Sequence, residues 1–279
     1  MINSSKVNSI ERIMKKPRFL MGTGWRWLAL GMALSMSFIP NPVMSADGID
    51  ADADKILKSM SSYLAQTKAF RVNADIALDV VTDNGEKLQF SSSAKLVLER
   101  QNKFYIERKG AIANAQFFFD GKTLTLYGKK RNAYTQIAVS GSIDDAIRAY
   151  ESETGIPAPG SDLMFSNPYG VLSTGIKSSS YLGTAYINGI ECHHLAFRKD
   201  MVDWQIWIQT GDKPLPMKYV ITSKWQAAAP QYEIRFHNWE INPQIDNNQF
   251  RFVAPSGASK LDALPANDMD EFTSTEEKK

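Results

Sequence analysis

Hydrophobic and polar residues alternate over two long segments of the chain. In residues 70–80 and 88–98 nearly every second residue is apolar, and Asn84-Gly85 lies between the two segments. A period of two is typical of a β-strand with one buried face, and Asn-Gly favours a tight hairpin turn. The pattern predicts two antiparallel strands of about a dozen residues, which is long for a globular protein. Long strands with one apolar face indicate a large, strongly curved sheet.

The same period of two returns in shorter segments along the rest of the chain. Turn-forming pairs such as Asp120-Gly121 and Asn188-Gly189 separate several of them. The shorter predicted strands are residues 103–108, 116–119, 123–127, 132–139, 181–187, 190–197, 202–209, 216–225, 231–241 and 250–253. The pattern predicts a mainly β (α+β) fold with about eleven strands.

In a few segments the apolar residues recur with the spacing of an α-helix instead of a β-strand. In residues 50–66 the apolar side chains recur three or four positions apart, and aspartates lie at the start, where the helix dipole favours them. Ser142 and Asp145 have the spacing of a helix N-cap and its partner, and Gly155 is suited to end that second helix. A short third helix over residues 168–172 brings the prediction to two or three helices.

The segment over residues 202–209 is rich in tryptophan. Trp204, Ile206 and Ile208 fall on one face of the predicted strand, and Trp207 falls on the other face between two glutamines. We expect the apolar face to meet the helices. Trp204 should therefore contribute more to stability than Trp207.

Several short strings resemble the signature of one protein family. They are Asp203 to Ile208 with the following Gly211 to Lys218, then Asp120 to Leu124, Cys192 to Phe197, and Pro255 with Gly257-Ala258. Over residues 50–261 the chain resembles the DUF2092-type family of predicted periplasmic proteins of unknown function. That family is similar in fold to the periplasmic lipoprotein carriers LolA and LolB. Residues 100–102 depart from the family pattern, which tends to have Pro after the Arg, and this affects one turn.

The resemblance implies an open, strongly curved antiparallel half-barrel with two or three helices on its concave side. In the carriers, that concavity holds acyl chains. A related fold serves in periplasmic regulators of anti-sigma factors, which act by protein contact. The family has no assigned activity, so it contributes no catalytic residue.

Residues 1–46 have the pattern of a secretory signal peptide. Six basic side chains precede an apolar run of about 13 residues, and Ser45 and Ala46 are small enough for cleavage. The run is shorter than the ~20 residues that span a bilayer, and an uncleaved amphipathic anchor is the alternative. The pattern predicts export to the periplasm, one domain over residues 47–264, and a disordered acidic tail over residues 265–279.

The charge of the predicted mature chain gives no reason to expect nucleic acid as a partner. The whole chain has 32 basic and 30 acidic side chains, and the predicted leader contains six of the basic and one of the acidic side chains. The remainder therefore has a formal charge of −3. We expect a monomer. The single Cys192 cannot form an internal disulfide in the oxidising compartment to which the leader would direct the chain.

Candidate catalytic and metal-binding residues are few. Cys192 and His194 share a strand face and could bind zinc together with a distant His237 or a carboxylate, or act as a nucleophile pair. Nothing around a mid-strand thiol lowers its pKa, and the sequence has no hydrolase, zinc-protease or phosphate-loop motif. We therefore expect a buried, reduced Cys192, no cofactor, no metal and no enzymatic activity.

Aromatic residues are abundant, with 14 Phe, 10 Tyr and 6 Trp. One interpretation is a core filled by its own side chains, and the other is a hydrophobic cavity between the sheet and the helices. Leu163-Met164-Phe165 lies in a loop bounded by Pro and Gly and would form part of a mobile lid. The predicted ligand-binding residues are Leu163, Met164, Phe165, Phe117, Phe119 and Trp204.

These observations favour a periplasmic protein that binds a hydrophobic or amphipathic ligand, such as the acyl chain of a lipid or lipoprotein. An inner- or outer-membrane protein is a further expected partner. The alternatives are a regulatory or sensor module that acts by protein contact, a purely structural protein without a ligand, and, third, an enzyme.

Overall fold

The computed structural model describes residues 48–112 and 114–262. Within these residues the strands are β1 (Ala69–Val81), β2 (Lys87–Glu99), β3 (Lys103–Gly110), β4 (Asn114–Phe119), β5 (Thr123–Gly128), β6 (Ala133–Ala138), β7 (Ser178–Ile187), β8 (Ile190–Arg198), β9 (Val202–Gln209), β10 (Pro216–Ser223), β11 (Gln231–Ile241) and β12 (Ser259–Lys260). The α-helices are α1 (Ala51–Gln66), α2 (Ile143–Thr154) and α3 (Pro168–Ser173), and 3₁₀-helices cover Ser161–Leu163 and Asn247–Phe250. The predicted leader, residues 1–46, and the predicted tail, residues 265–279, lie outside the described residues.

The strands form one sheet in the order β12-β6-β5-β4-β3-β2-β1-β11-β10-β9-β8-β7. Neighbouring strands pair antiparallel, except that the two-residue β12 runs parallel to β6. The sheet is open, since β7 and β12 are its two edges. The predicted fold, a mainly β, curved antiparallel half-barrel with two or three helices, is confirmed.

The N-terminal end of α1 is attached to the edge of the sheet. The Asp50 carboxylate accepts hydrogen bonds from the N–H groups of Asp52 and Ala53, at 2.9 and 3.0 Å, and so caps the helix. It also accepts from the N–H of Tyr181 in β7 at 3.2 Å. These hydrogen bonds lower the pKa of Asp50, and the bond from the N–H of Ala53 has the largest effect. One side chain therefore starts α1 and positions it on β7.

The second helix has the predicted boundaries. Ser142 and Asp145 form a reciprocal capping box at the start of α2, and Gly155 follows its end with φ 67°. Only glycine adopts this left-handed conformation at little cost.

The two halves of the inward face of the sheet are covered differently. α1 packs against α3 and against β7 and β8. In this half the inward-facing rings of Phe197 in β8 and Trp204 in β9 are buried and stack at 4.0 Å. α2 covers the other half, and its Tyr150 meets the ring of Phe117 in β4 edge-on at 5.8 Å.

The strand predicted over residues 250–253 is wrong. Asn247–Phe250 is a 3₁₀-helix and the three residues after it pair with no strand. The ring of Phe252 lies 5.4 Å from that of Phe118 and 4.8 Å from that of Tyr134. Phe252 therefore packs on the outer face of the sheet, which also explains why both faces of β4 are aromatic, whereas Val253 is 81% exposed.

Trp207 lies on the outer face of β9, as predicted, yet it is nearly as buried as Trp204: the two side chains are 9% and 3% exposed. The ring of His194 stacks on Trp207 at 4.0 Å, and Nζ of Lys218 lies 4.9 Å from its centroid. Long polar side chains of the neighbouring strands thus cover this tryptophan with their apolar parts.

Candidate functional site

An apolar cavity of about 160 Å³ lies between the sheet and α2. This volume is on the order of ten times the space that one buried water requires. The floor is the inward face of five neighbouring strands and β11, formed by Val72, Ala74, Ile76, Ala94, Leu96, Phe104, Ile106, Arg108, Phe117, Leu124, Tyr232, Ile234 and Phe236. Three residues of α2, Ala146, Ile147 and Tyr150, line the opposite wall.

The cavity exists because two small residues face each other across the floor. Ala74 of β1 is the register partner of Ala94 of β2, and the flanking partners are Phe236 in β11 and Arg108 in β3. Interiors are normally close-packed, so two alanines in a row of larger side chains leave an open space.

A short segment closes the top of the cavity. We call residues 158–164, which include the first 3₁₀-helix, the roof segment; Ala158, Pro159, Gly160, Ser161 and Met164 line the cavity. Gly160 has φ 86°, and a Cβ at this position would lie 2.5 Å from Cδ1 of Ile234. Glycine therefore allows the backbone to descend onto β11.

Two half-buried polar side chains, Arg100 and Asp162, attach the roof segment to the domain. The guanidinium of Arg100 donates to the carbonyl oxygen of Met164 and, at 3.4 Å, to that of Leu64 in α1. Burial lowers the pKa of Arg100, and burial raises the pKa of Asp162. The hydroxyl of Tyr219 in β10 donates to Oδ2 of Asp162 at 3.3 Å. The roof segment is thus linked to α1 and to both halves of the sheet.

One side of the cavity faces solvent. Ala94, Leu96, Ile106 and Phe117 point inward from β2, β3 and β4 but are only half-buried. An elongated apolar ligand can therefore enter along these strands without unfolding the core.

The predicted ligand-binding residues are not all brought together. Phe117 and Met164 line the cavity. Leu163 is a buried residue of the roof segment, and Phe165 is buried directly after that segment. The guanidinium of Arg148 in α2 lies 5.5 Å from the centroid of the Phe165 ring.

The other two predicted residues belong to the packed core. Phe119 is fully buried with its ring 5.6 Å from that of Phe104, and Trp204 is buried with its ring stacked on that of Phe197.

Sequence reasoning missed the small pair Ala74 and Ala94, the glycine of the roof segment and Arg108. Two signals were available. One alanine lies among larger apolar residues on the inward face of each long strand, and Arg108 follows Phe104 and Ile106 on the inward face of β3.

The cysteine and the histidines have separate surroundings. Cys192 is 0% exposed, its thiol donates to the carbonyl oxygen of Ile190 at 3.4 Å, and burial raises its pKa to about 11. His194 pairs with the side chain of Gln205 at 2.9 Å, and burial lowers its pKa. Within residues 48–112 and 114–262, no three His, Cys, Asp or Glu side chains are grouped as a metal site would require.

We predict that the Cys192 thiol is unreactive in the folded protein, because the thiolate is the nucleophile and burial disfavours it. A disulfide reagent at pH 8 should modify it far more slowly in buffer than in urea. Cys192→Ala should fold with a loss of about 1–2 kcal/mol in the free energy of unfolding. Fast modification of the folded protein would contradict the burial of this thiol.

No helix in the part of the chain that the structure describes is long and apolar enough to cross a membrane.

A family profile described as "Predicted periplasmic protein (DUF2092)" matches residues 53–264. The chain belongs to this family. The match spans nearly all described elements, so the cavity is part of the DUF2092 domain.

The DUF2092 protein is similar to a curated relative, an uncharacterized protein of Methanocaldococcus jannaschii. The two are 24% identical over 216 residues, which cover 75% of this chain and 54% of the relative. The chain therefore spans about half the length of the curated relative it matches.

Solved structures that are similar to the DUF2092 protein include the following two. An uncharacterized conserved protein from Thermus thermophilus is 10% identical with a TM-score of 0.45, covering 75% of this chain and 98% of the other. A LolA superfamily protein from Nitrosomonas europaea is 9% identical with a TM-score of 0.36, covering 72% and 97%.

Proposed function

We propose that this DUF2092 protein binds the acyl chain of a lipid or lipoprotein in the cavity under α2 and the roof segment. The open, apolar cavity carries this proposal. Large voids are rare in protein interiors, and an apolar concavity of this kind is the usual form of a small-molecule site. The proposed compartment is the periplasm, reached after removal of residues 1–46, and the proposed form is a monomer.

The chemistry of the lining favours binding rather than catalysis. Among the described residues that line the cavity there is no Asp, Glu, His or Cys, and the polar side chains are those of Arg108, Tyr150, Ser161 and Tyr232. Such a lining lacks the acid, base or thiol nucleophile on which most hydrolytic mechanisms depend.

The direct test is binding of a hydrophobic fluorescent probe, N-phenylnaphthylamine, with displacement by a fatty acid. We expect saturable binding near one probe per monomer, and lipid in the native mass spectrum of protein purified without detergent. A folded wild-type protein that binds neither probe nor lipid would contradict the proposal. A search for a membrane-protein partner of a regulatory module would then be the next experiment.

We predict that Ala94→Phe abolishes most of this binding. Its ring would occupy the space between Ala74 and Arg108, so the affinity for the probe should fall at least tenfold. Filling a cavity commonly stabilises a protein by about 0.5–2 kcal/mol, so the melting temperature should be kept or raised. The measurements are probe titration and thermal unfolding.

The matched control is Ala77→Phe. Ala77 lies in β1, is half-buried like Ala94, and faces the outer side of the sheet, outside the cavity lining. This variant should bind the probe like the wild type. Equal losses in both variants would show that binding does not occur in the cavity.

A further inference from the structure

One loop at an end of the sheet is both apolar and exposed. Residues 224–230 connect β10 to β11, with the sequence Lys-Trp-Gln-Ala-Ala-Ala-Pro. Trp225 is 59% exposed, and Ala227 and Ala228 are exposed as well. Turns are usually built from Gly, Pro, Asn, Asp and Ser, each of which suits the backbone of a turn. The composition of this loop is therefore not explained by the turn alone.

The backbone of the loop is strained at two alanines. Ala228 and Ala229 have φ of 61° and 42°, in the left-handed region that favours glycine. Among the residues that the structure describes, the other non-glycine residues with positive φ are four asparagines, Asn132, Asn188, Asn238 and Asn242. Asparagine tolerates this conformation better than alanine, because its side chain forms hydrogen bonds with nearby backbone groups. Glycine or asparagine would make the turn more stable, whereas the alanines keep it apolar.

A second large apolar side chain is exposed next to this loop. Met201, in the turn between β8 and β9, is 58% exposed, and its carbonyl oxygen accepts a hydrogen bond of 2.9 Å from the N–H of Lys224. We call Met201 together with residues 225–229 the apolar tip. Single exposed apolar residues are common on protein surfaces, whereas a group of them marks a contact site.

The apolar tip is at the end of the sheet on which the roof segment rests. Gly160 of the roof segment lies against Ile234, and Asp162 accepts a hydrogen bond from Tyr219, the register partner of Ile234. Ile234 is the fourth residue of β11, which begins directly after the loop. At about 3.3 Å per residue of strand, this contact is roughly 13 Å from the loop. A surface that meets the tip is therefore also close to the cavity.

The chemistry of the apolar tip fits a lipid bilayer. A tryptophan ring lies favourably at the level of the lipid head groups, because the ring is apolar and its N–H is polar. Residues 198–201 and 224–230 hold three cationic side chains and one acidic one, and Asp203 pairs with Lys224 at 2.7 Å. One positive charge is left in excess, and it complements the anionic head groups of a bilayer.

We propose that the apolar tip docks on the surface of a phospholipid bilayer that contains anionic lipid. This inference rests on the proposed function, since acyl chains reside in membranes and a protein that takes one up or releases it has to meet a membrane. Docking through the tip would bring the roof segment, and the cavity beneath it, close to the bilayer.

The first test is flotation of the full chain with vesicles of phosphatidylethanolamine and phosphatidylglycerol. Membrane affinity rises with the apolar area that is buried, so Trp225→Ala should lower the partition coefficient about fivefold or more, and Met201→Ser about threefold. Tyr186→Ser is the matched control and should stay within about twofold of the wild type. Tyr186 is 69% exposed and lies at the opposite end of the sheet, beside the turn between β7 and β8.

A fluorescent label shows which part of the chain meets the bilayer. Ala227→Cys and Tyr186→Cys each provide an exposed thiol, whereas Cys192 is 0% exposed, so a nitrobenzoxadiazole label should attach to the introduced cysteine. Vesicles should shift the emission to the blue for the label at residue 227 and leave it unchanged at residue 186. No shift at residue 227, or equal shifts at both, would overturn the proposal.

Ala228→Asn separates docking from stability. Asparagine suits the left-handed backbone, so this variant should melt at a higher temperature than the wild type. It also places a polar side chain in the tip, so the partition coefficient should fall about threefold. Unchanged partition coefficients for both Ala228→Asn and Trp225→Ala would show that the tip does not dock on the bilayer.

The failures of the two proposals are distinguishable. Trp225→Ala should bind N-phenylnaphthylamine like the wild type, because the tip is not part of the cavity lining. If the wild type binds this probe but not the vesicles, docking is overturned and the proposed function stands. If the labelled tip meets the vesicles while the folded protein binds neither probe nor lipid, docking is supported and acyl-chain binding is contradicted.

Discussion

Trp204→Ala is expected to remove about 3–5 kcal/mol from the free energy of unfolding. Typical domains are stable by 5–15 kcal/mol, so the variant should be near the limit of folding at room temperature. The cause is the position of the indole, which stacks on Phe197 at 4.0 Å and meets the ring of Tyr219 edge-on at 5.7 Å. Because the neighbouring rings belong to paired strands on both sides of β9, they cannot collapse fully into the space left by the indole.

The indole N–H of Trp204 allows a sharper version of this experiment. Within the described residues, Nε1 is buried and has no hydrogen-bond partner. Trp204→Phe keeps a ring against Phe197 and removes the unsatisfied donor, so we expect a loss of less than about 1.5 kcal/mol. Urea unfolding measures both variants, and an equal loss for Phe and Ala would contradict the importance of the ring stack.

Two other tryptophans serve as references. Trp207→Ala should cost about 3 kcal/mol, the low end of the range for a buried ring, because the polar side chains that cover it can rearrange. Trp225 is 59% exposed, so Trp225→Ala should change stability by no more than about 0.5 kcal/mol. If the Trp204 and Trp225 variants unfolded at the same urea concentration, the described packing would be wrong.

Arg100→Met is expected to lower the free energy required to open the roof segment by about 2 kcal/mol. The substitution leaves the carbonyl oxygens of Met164 and Leu64 without the guanidinium, and an unsatisfied buried acceptor costs about 1–3 kcal/mol. Hydrogen exchange at the Met164 amide, which donates to Ser161 at 2.8 Å, should become on the order of 30-fold faster. Native-state exchange by mass spectrometry over residues 158–166 measures this effect.

The control for the roof segment is Arg148→Met. Arg148 touches the same region from outside, with its guanidinium 5.5 Å from the Phe165 ring, and its side chain is mostly exposed. An exposed contact of this kind is worth about 0.5–1 kcal/mol, so exchange should change by less than about fivefold. If both variants gave the same small effect, Arg100 would not hold the roof segment closed.

Hairpins and caps were predictable from the sequence because each depends on a few neighbouring residues. Asn84-Gly85 joins β1 and β2 as predicted, and Ser142, Asp145 and Gly155 delimit α2 as predicted. The same local reasoning failed at residues 250–253. A segment that packs on the surface of a sheet can show the same alternation of apolar and polar residues as a strand that pairs within the sheet.

The candidate site shows a different limit. Phe117 and Phe119 are two residues apart on the same face of β4, and the sequence treats them alike. In the structure Phe117 lies under Tyr150 at the open side of the cavity, whereas Phe119 is sealed against Phe104. The residues that cover them come from other parts of the chain, which no local pattern specifies.

The sequence by itself determined the mainly β fold, the long hairpin, the helix ends and the faces of the strands. These features follow from side-chain periodicity and turn chemistry within short segments. Only the tertiary structure decided that Ala74 and Ala94 leave a cavity, that Arg108 faces it, and that Arg100 ties its roof to α1. The physical reason is that strands and helices that are distant in the sequence become neighbours in the fold. Their side chains together decide whether a position is packed or lies beside a cavity, and which charges are buried there.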